Sequence, residues 1–194
     1  MLDSLRIYRI FEDEFLTLCQ WLDFWSTCNL FMEKNADFNP GSRVWIYGAS
    51  RFFSPEEKAR VLGKLKQFTA DWTSHQQQLK ADAGVWFDSV LYFMVDESHA
   101  EVSGCGIDKS VKVVRELEAE TGINLFNRLL VYVKDGETVK ICSKNQIQEM
   151  IDLGQIHSES LILNTLAQTK NELDIQMWIP IQKSWIWSKI NQPV

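Results

Sequence analysis

Gly84-Val85-Trp86-Phe87-Asp88-Ser89-Val90-Leu91-Tyr92-Phe93-Met94-Val95 is the stretch on which the fold turns. Two apolar runs rich in β-branched and aromatic residues flank the polar pair Asp88-Ser89. That pattern predicts a β-hairpin, although Asp-Ser is weaker turn chemistry than Asn-Gly. The second run, from Val90 to Val95, is apolar on both faces, as a central strand is.

Upstream, residues 43–47 (Arg-Val-Trp-Ile-Tyr) read as a strand. Ser54-Pro55-Glu56-Glu57 then starts a helix, with Ser54 as cap, Pro55 at the first helical position and Glu57 closing a capping box. Val61, Leu65, Phe68 and Trp72 recur at steps of four, three and four, which places them on one helical face. Downstream, Asp108 is placed to cap a second helix with Val111, Val114 and Leu117 as its buried stripe. Gly122 ends it, with Ile123 folding back on the last turn. Residues 128–133 read as a strand, Asp135-Gly136 as a type I′ turn, and residues 139–142 as the return.

The order strand, helix, strand, strand, helix, strand predicts an α+β fold of the ferredoxin-like, split βαβ kind: an antiparallel sheet with two helices on one face. A C-terminal extension follows. Ser143-Lys144-Asn145-Gln146 is a capping box whose helix Gly154 stops. Residues 161–163 and 175–181 read as strands, Thr169 to Glu172 as one capped turn between them, and residues 184–190 as a terminal helix. No repeat or low-complexity linker divides residues 43–194, which read as one domain behind a polar lead-in at 32–42.

The first 31 residues stand apart. Residues 15–31 are rich in Phe, Leu and Trp, yet Gln20, Asp23 and Asn29 interrupt them, so they do not read as a membrane span. Glu12, Asp13 and Glu14 before the apolar run argue against a signal peptide. Residues 12–28 or so read as one amphipathic helix that packs on something, within an N-terminal extension of residues 1–31. Met32, followed by an ordinary polar lead-in, offers a second start that would leave residues 1–31 outside the native protein; both readings stay open.

A net charge of −6 on 194 residues, with no dense Lys/Arg cluster, excludes a nucleic-acid binder's basic face. Cys19, Cys28, Cys105 and Cys142 form no Cys-x-x-Cys pair. Their scatter points to a reducing, cytoplasmic setting rather than a disulfide framework. His75, His99 and His157 are far apart, so no metal site is expected, and no cofactor is implied. Eight tryptophans spread along the chain read as core and interface.

The candidate site is Ser103-Gly104-Cys105-Gly106-Ile107-Asp108-Lys109-Ser110, where an apolar strand gives way to a helix. Its glycines would permit a tight turn, and a helix start offers free N–H groups. Gly104, Cys105, Gly106, Asp108, Lys109 and Ser110 are therefore the candidate ligand-binding residues. A phosphate loop, Gly-x-x-x-x-Gly-Lys-Ser, would need glycine at 103 and 108, where this chain has Ser103 and Asp108. Cys105 at a helix start could act as nucleophile or redox thiol, with His99 as base and Asp96 or Glu97 orienting it; a small buried cysteine is the plainer reading.

Residues 43–47, Val95-Asp96-Glu97-Ser98 and residues 103–111 together resemble a small uncharacterised family of the Bacteroidetes whose members often carry the label "ABC transporter ATPase". The resemblance covers roughly residues 43–185 and omits residues 1–31. The label implies ATP hydrolysis; the family supplies no functional residues to carry over. On the residues alone, the chain reads as a non-catalytic module for a small ligand or protein partner, with homodimerisation open. A thiol-dependent or redox-responsive protein using Cys105, and an anion or nucleotide binder at the 103–110 turn, are the alternatives.

Overall fold

The computed structural model describes residues 34–136 and 138–190; the expectations for residues 1–31 lie outside the described residues. The predicted hairpin forms from β4 (Lys80–Trp86) and β5 (Val90–Asp96), paired antiparallel with Trp86 opposite Val90. Phe87 and Asp88 turn it in left-handed conformation, at φ of 50° and 51°. Asp tolerates that region and a bulky Phe does not. Phe87 is held there by its ring against Trp178, with centroids 5.3 Å apart, while Lys58 pairs with Asp88.

Strand β1 (Arg43–Gly48) runs antiparallel to β5 on its other side, giving a sheet of order β1-β5-β4. Helix α1 (Pro55–Asp71) links β1 to β4, with the small hairpin of β2 (Thr73–Ser74) and β3 (Gln77–Gln78) between. Because β5 lies between β1 and β4, this is the predicted split βαβ unit. Helix α2 (Gly104–Thr121) joins α1 on the same face. Val61, Leu65 and Trp72 from the α1 side meet Leu91, Phe93 and Val95 of β5 and Val114 and Leu117 of α2. The Ser54–Glu57 capping box forms, and Gly122 ends α2 at φ 66° with its N–H bonded to Glu118 O.

The four-stranded ferredoxin-like sheet does not form among the described residues. Strand β6 (Val131–Asp135) leaves the first sheet and pairs with β7 (Thr138–Cys142) and with β8 (Leu161–Leu163) in a second sheet of order β7-β6-β8-β9, where β9 is Trp178–Pro180. The reason lies in the alternation of β6. Tyr132 faces the first sheet, packing with Tyr92 and Met94, while Val131 and Val133 face away. An edge position would bury one such layer less well; the centre of a second sheet buries both. Helix α3 (Lys144–Asp152) and the C-terminal turns cover the far face through Ile147, Ile181 and Ile186. The domain is thus four layers thick: helices, sheet, sheet, helix.

Two C-terminal expectations are corrected. Residues 175–181 are not one strand. The Thr169–Glu172 capping box starts α4 (Lys170–Gln176), which runs to Gln176, and the strand is only Trp178–Pro180. A reciprocal cap satisfies two helix-start donors at once, enough to carry the helix beyond one turn. The terminal helix expected at residues 184–190 shortens to α5 (Trp187–Ile190), which follows a 3-10 turn at Ile181–Lys183.

Candidate functional site

The start of α2 differs from its predicted shape. Ser103, not Asp108, is the cap: its Oγ accepts the Gly106 N–H at 3.2 Å. Serine at this position takes the extended backbone that a cap requires, so the helix begins at Gly104. Gly104 and Gly106 therefore sit in ordinary helical backbone, and no sharp bend surrounds Cys105. Gly106 is a glycine for packing. A Cβ there would lie 2.9 Å from the Val102 side chain, and the Trp72 indole N–H donates to its carbonyl at 3.1 Å.

The candidate residues point different ways. Cys105, Asp108 and Lys109 are exposed, whereas Ser110 is fully buried with its hydroxyl donating to Ile107 O at 2.7 Å. The amides of Gly104 and Cys105 meet no acceptor among the described residues, the usual state of a helix start. His99 is exposed on the turn after β5. Asp96 is 4% exposed and fully engaged: its carboxylate accepts from Asn39 N at 3.2 Å and Ser98 N at 3.1 Å and pairs with Lys80 Nζ at 3.3 Å. Burial works against its ionisation, but the bonds from Ser98, Asn39 and Lys80 outweigh it and hold the carboxyl at about 2. Glu97 accepts from Val102 N at 3.0 Å and pairs with Arg43. These carboxylates organise the loop; no bond joins either to His99. The other described thiol, Cys142, is buried, and burial pushes its pKa up. No group of three or more His, Cys, Asp and Glu suited to a metal ion occurs among the described residues.

A second place has the opposite character. Val44 N–H bonds to Gln168 O and Lys170 N–H to Ser42 O, so the even residues of β1 direct their backbone groups away from β5. Farther along, Ser50 N–H bonds to Asn124 O. Between these anchors, alternation in the β1–β5 ladder turns Ile46 N–H and C=O and Gly48 N–H outward, where no bond to the described residues satisfies them. They border a cavity of about 190 Å³ walled by Leu125, Phe126 and Leu166. Arg128 is the one charged residue among its lining, and it makes no ion pair with the described residues. Burial raises the pKa of the Tyr47 phenol, and the Arg128 guanidinium opposes that shift. A second cavity of about 300 Å³, between Leu130, Trp178 and Trp185, adjoins it through Thr165 and Leu166. Phe126, Leu129 and Leu166 are exposed around this region, Leu166 by 61% and Leu129 by 65%.

Sequence reasoning missed this groove because no local motif marks it. Three segments distant in sequence form its walls, and its key polar groups belong to the backbone. The chain, compared with protein-family models, with curated proteins and with solved structures, matches none of them. No helix among the described residues is long and apolar enough to cross a membrane.

Proposed function

We propose that this chain is a non-catalytic binding module whose working surface is the groove along β1. One contrast carries the reading. The side chains able to do chemistry are either engaged inside the fold, Asp96 in the loop before α2 and Ser110 within α2, or stand on solvated positions, as His99, Cys105 and Lys109 do. The groove instead presents backbone donors and acceptors that no described residue satisfies, beside apolar walls, which is what a recognition surface needs.

The test pairs turnover with stabilisation. Full-length protein is incubated with ATP and with an activated ester, and its thermal midpoint is followed against peptide and carboxylate panels. The reading expects no turnover above background and a midpoint that rises with a groove ligand by mass action. Turnover that disappears in Cys105→Ser overturns it.

That outcome would favour the alternative reading, a thiol-dependent or redox-responsive protein. Its support is the exposure of Cys105 in the first turn of α2, beside the positive end of the helix. Anion or nucleotide binding at the same turn has less support. Asp108 is not occupied as a cap, so its charge stands one turn from the open amides. ATP hydrolysis, which the resemblance to the Bacteroidetes family implies, lacks the glycines of a phosphate loop at 103 and 108.

A further inference from the structure

We propose that β1 takes up a short extended peptide bearing an acidic side chain, which adds to its outer edge as the fourth strand of the first sheet. The inference rests on the binding-module reading above and names the partner's chemistry.

Three observations converge. First, the slot is a sheet edge. In the β1–β5 ladder, Arg43, Trp45 and Tyr47 stand opposite Val95, Phe93 and Leu91, and Ala49 N–H continues the series by bonding to Ser89 O. Strict alternation in an antiparallel ladder then turns Val44, Ile46 and Gly48 to the other side. Val44 N–H is satisfied there by Gln168. Unsatisfied by any described residue, Ile46 offers both its groups and Gly48 its N–H, in the spacing a neighbouring strand would meet. An unpaired edge of this kind is a template for strand addition.

Second, the slot is bounded. The bond from Val44 to Gln168 closes one end, and those between Ser50 and Asn124 close the other. It admits a few residues of backbone and not a long strand. That limit disfavours pairing with the full edge of a second copy. In a complete split βαβ sheet this position belongs to the strand after the second helix. Here that strand, β6, is held in the other sheet, and Tyr132 anchors it by donating its hydroxyl to Ala49 O at 2.7 Å.

Third, the charge is selective. The chain carries a net −6, yet the groove's one charged lining residue is Arg128, exposed and outside every ion pair of the described residues. An acidic side chain on the incoming strand complements it, and a basic one is repelled. Leu125, Phe126 and Leu166 give the alternate side chains apolar walls.

The experiment uses the full chain and a capped five-residue peptide of alternating valine and glutamate, with a valine–lysine peptide as control. Binding is followed by backbone amide NMR. The expected result is saturable binding of the valine–glutamate peptide, with the Ile46 and Gly48 amides shifted and slowed in exchange. N-methylating the peptide amides that face β1 should weaken binding about tenfold or more, while methylating the alternate amides should not. Arg128→Glu, a change at an exposed position, should reverse the preference between the two peptides. The proposal is overturned if neither peptide shifts those amides, if both bind alike, or if the edge is filled by self-association in sedimentation. Binding of a different ligand class in the groove would also overturn it while leaving the module reading intact. Turnover dependent on Cys105 would instead remove the module reading itself.

Discussion

The start of α2 and the outer edge of β1 are built from the same material, polar backbone next to apolar side chains, and they end in opposite states. At the helix start, Ser103 closes the cap, Trp72 takes the Gly106 carbonyl, Ser110 turns inward, and Asp96 holds the loop behind it. At the sheet edge, beside Arg128, the outward groups of Ile46 and Gly48 meet no backbone partner among the described residues. A glycine-flanked cysteine looks like a site because its chemistry is visible in the side chains. The open edge carries its chemistry in the backbone, where every residue type looks the same.

The sharpest way to break this contrast is at Gly48. A Cβ there would lie 2.1 Å from the Tyr132 hydroxyl oxygen and 2.6 Å from its ring, and Tyr132 is 1% exposed with that hydroxyl bonded to Ala49 O. Gly48→Ala should cost about 2–3 kcal/mol, measured by urea unfolding. A loss under about 0.5 kcal/mol would mean that β6 does not clamp this end of the groove.

Asp96 tests whether the loop before α2 is structural. Its folded carboxyl titrates near 2, below the ordinary 3.8. A depressed carboxyl stabilises the fold above its unfolded value and loses that contribution as pH falls through the folded one. Wild type should therefore lose about 2 kcal/mol from this group between about pH 4 and pH 2. Asp96→Asn should be weaker by a similar amount at neutral pH and should lack that part of the acid limb, read from unfolding curves across pH. An unchanged acid limb in the variant would show that Asp96 is not the engaged group.

A smaller effect separates the two caps. Ser103→Ala should cost about 1 kcal/mol, and Asp108→Ala less than about 0.5 kcal/mol, in the same unfolding assay. The reverse order would restore Asp108 as the cap and shift the helix start.

The smallest effect is at the thiols. Cys105→Ser should change stability by less than about 0.5 kcal/mol. With Cys19 and Cys28 replaced, Cys105 should alkylate in the folded protein while Cys142 waits for unfolding, as mass spectrometry of the labelled peptides would record. Equal protection of both thiols would contradict the exposed first turn.

Local signals were legible. The capping boxes at Ser54–Glu57, Ser143–Gln146 and Thr169–Glu172 all form, and Gly122 stops α2, because each is decided by hydrogen bonds within a few residues. Of the predicted stripe, Val61, Leu65 and Trp72 are buried and Phe68 is half-buried against the same cluster. The hairpin around Asp88 also forms, although Phe87 enters its left-handed turn, which residue preference alone disfavours. The choice between Ser103 and Asp108 was harder. Both residue types cap well, and the packing of Gly106 under Trp72 and Val102 favours the earlier start.

By itself, then, the amino-acid order determined α1, α2, α3 and the central hairpin, since periodicity and caps act over short distances. Tertiary structure alone decided which sheet β6 joins and that β8 is its second neighbour. Its residues 131–133 require apolar cover on both faces, and only a second sheet with α3 beyond it provides both. Among the described residues, that single choice leaves part of β1's outer edge without a neighbouring strand, which is why the open groove exists and why no run of residues announced it.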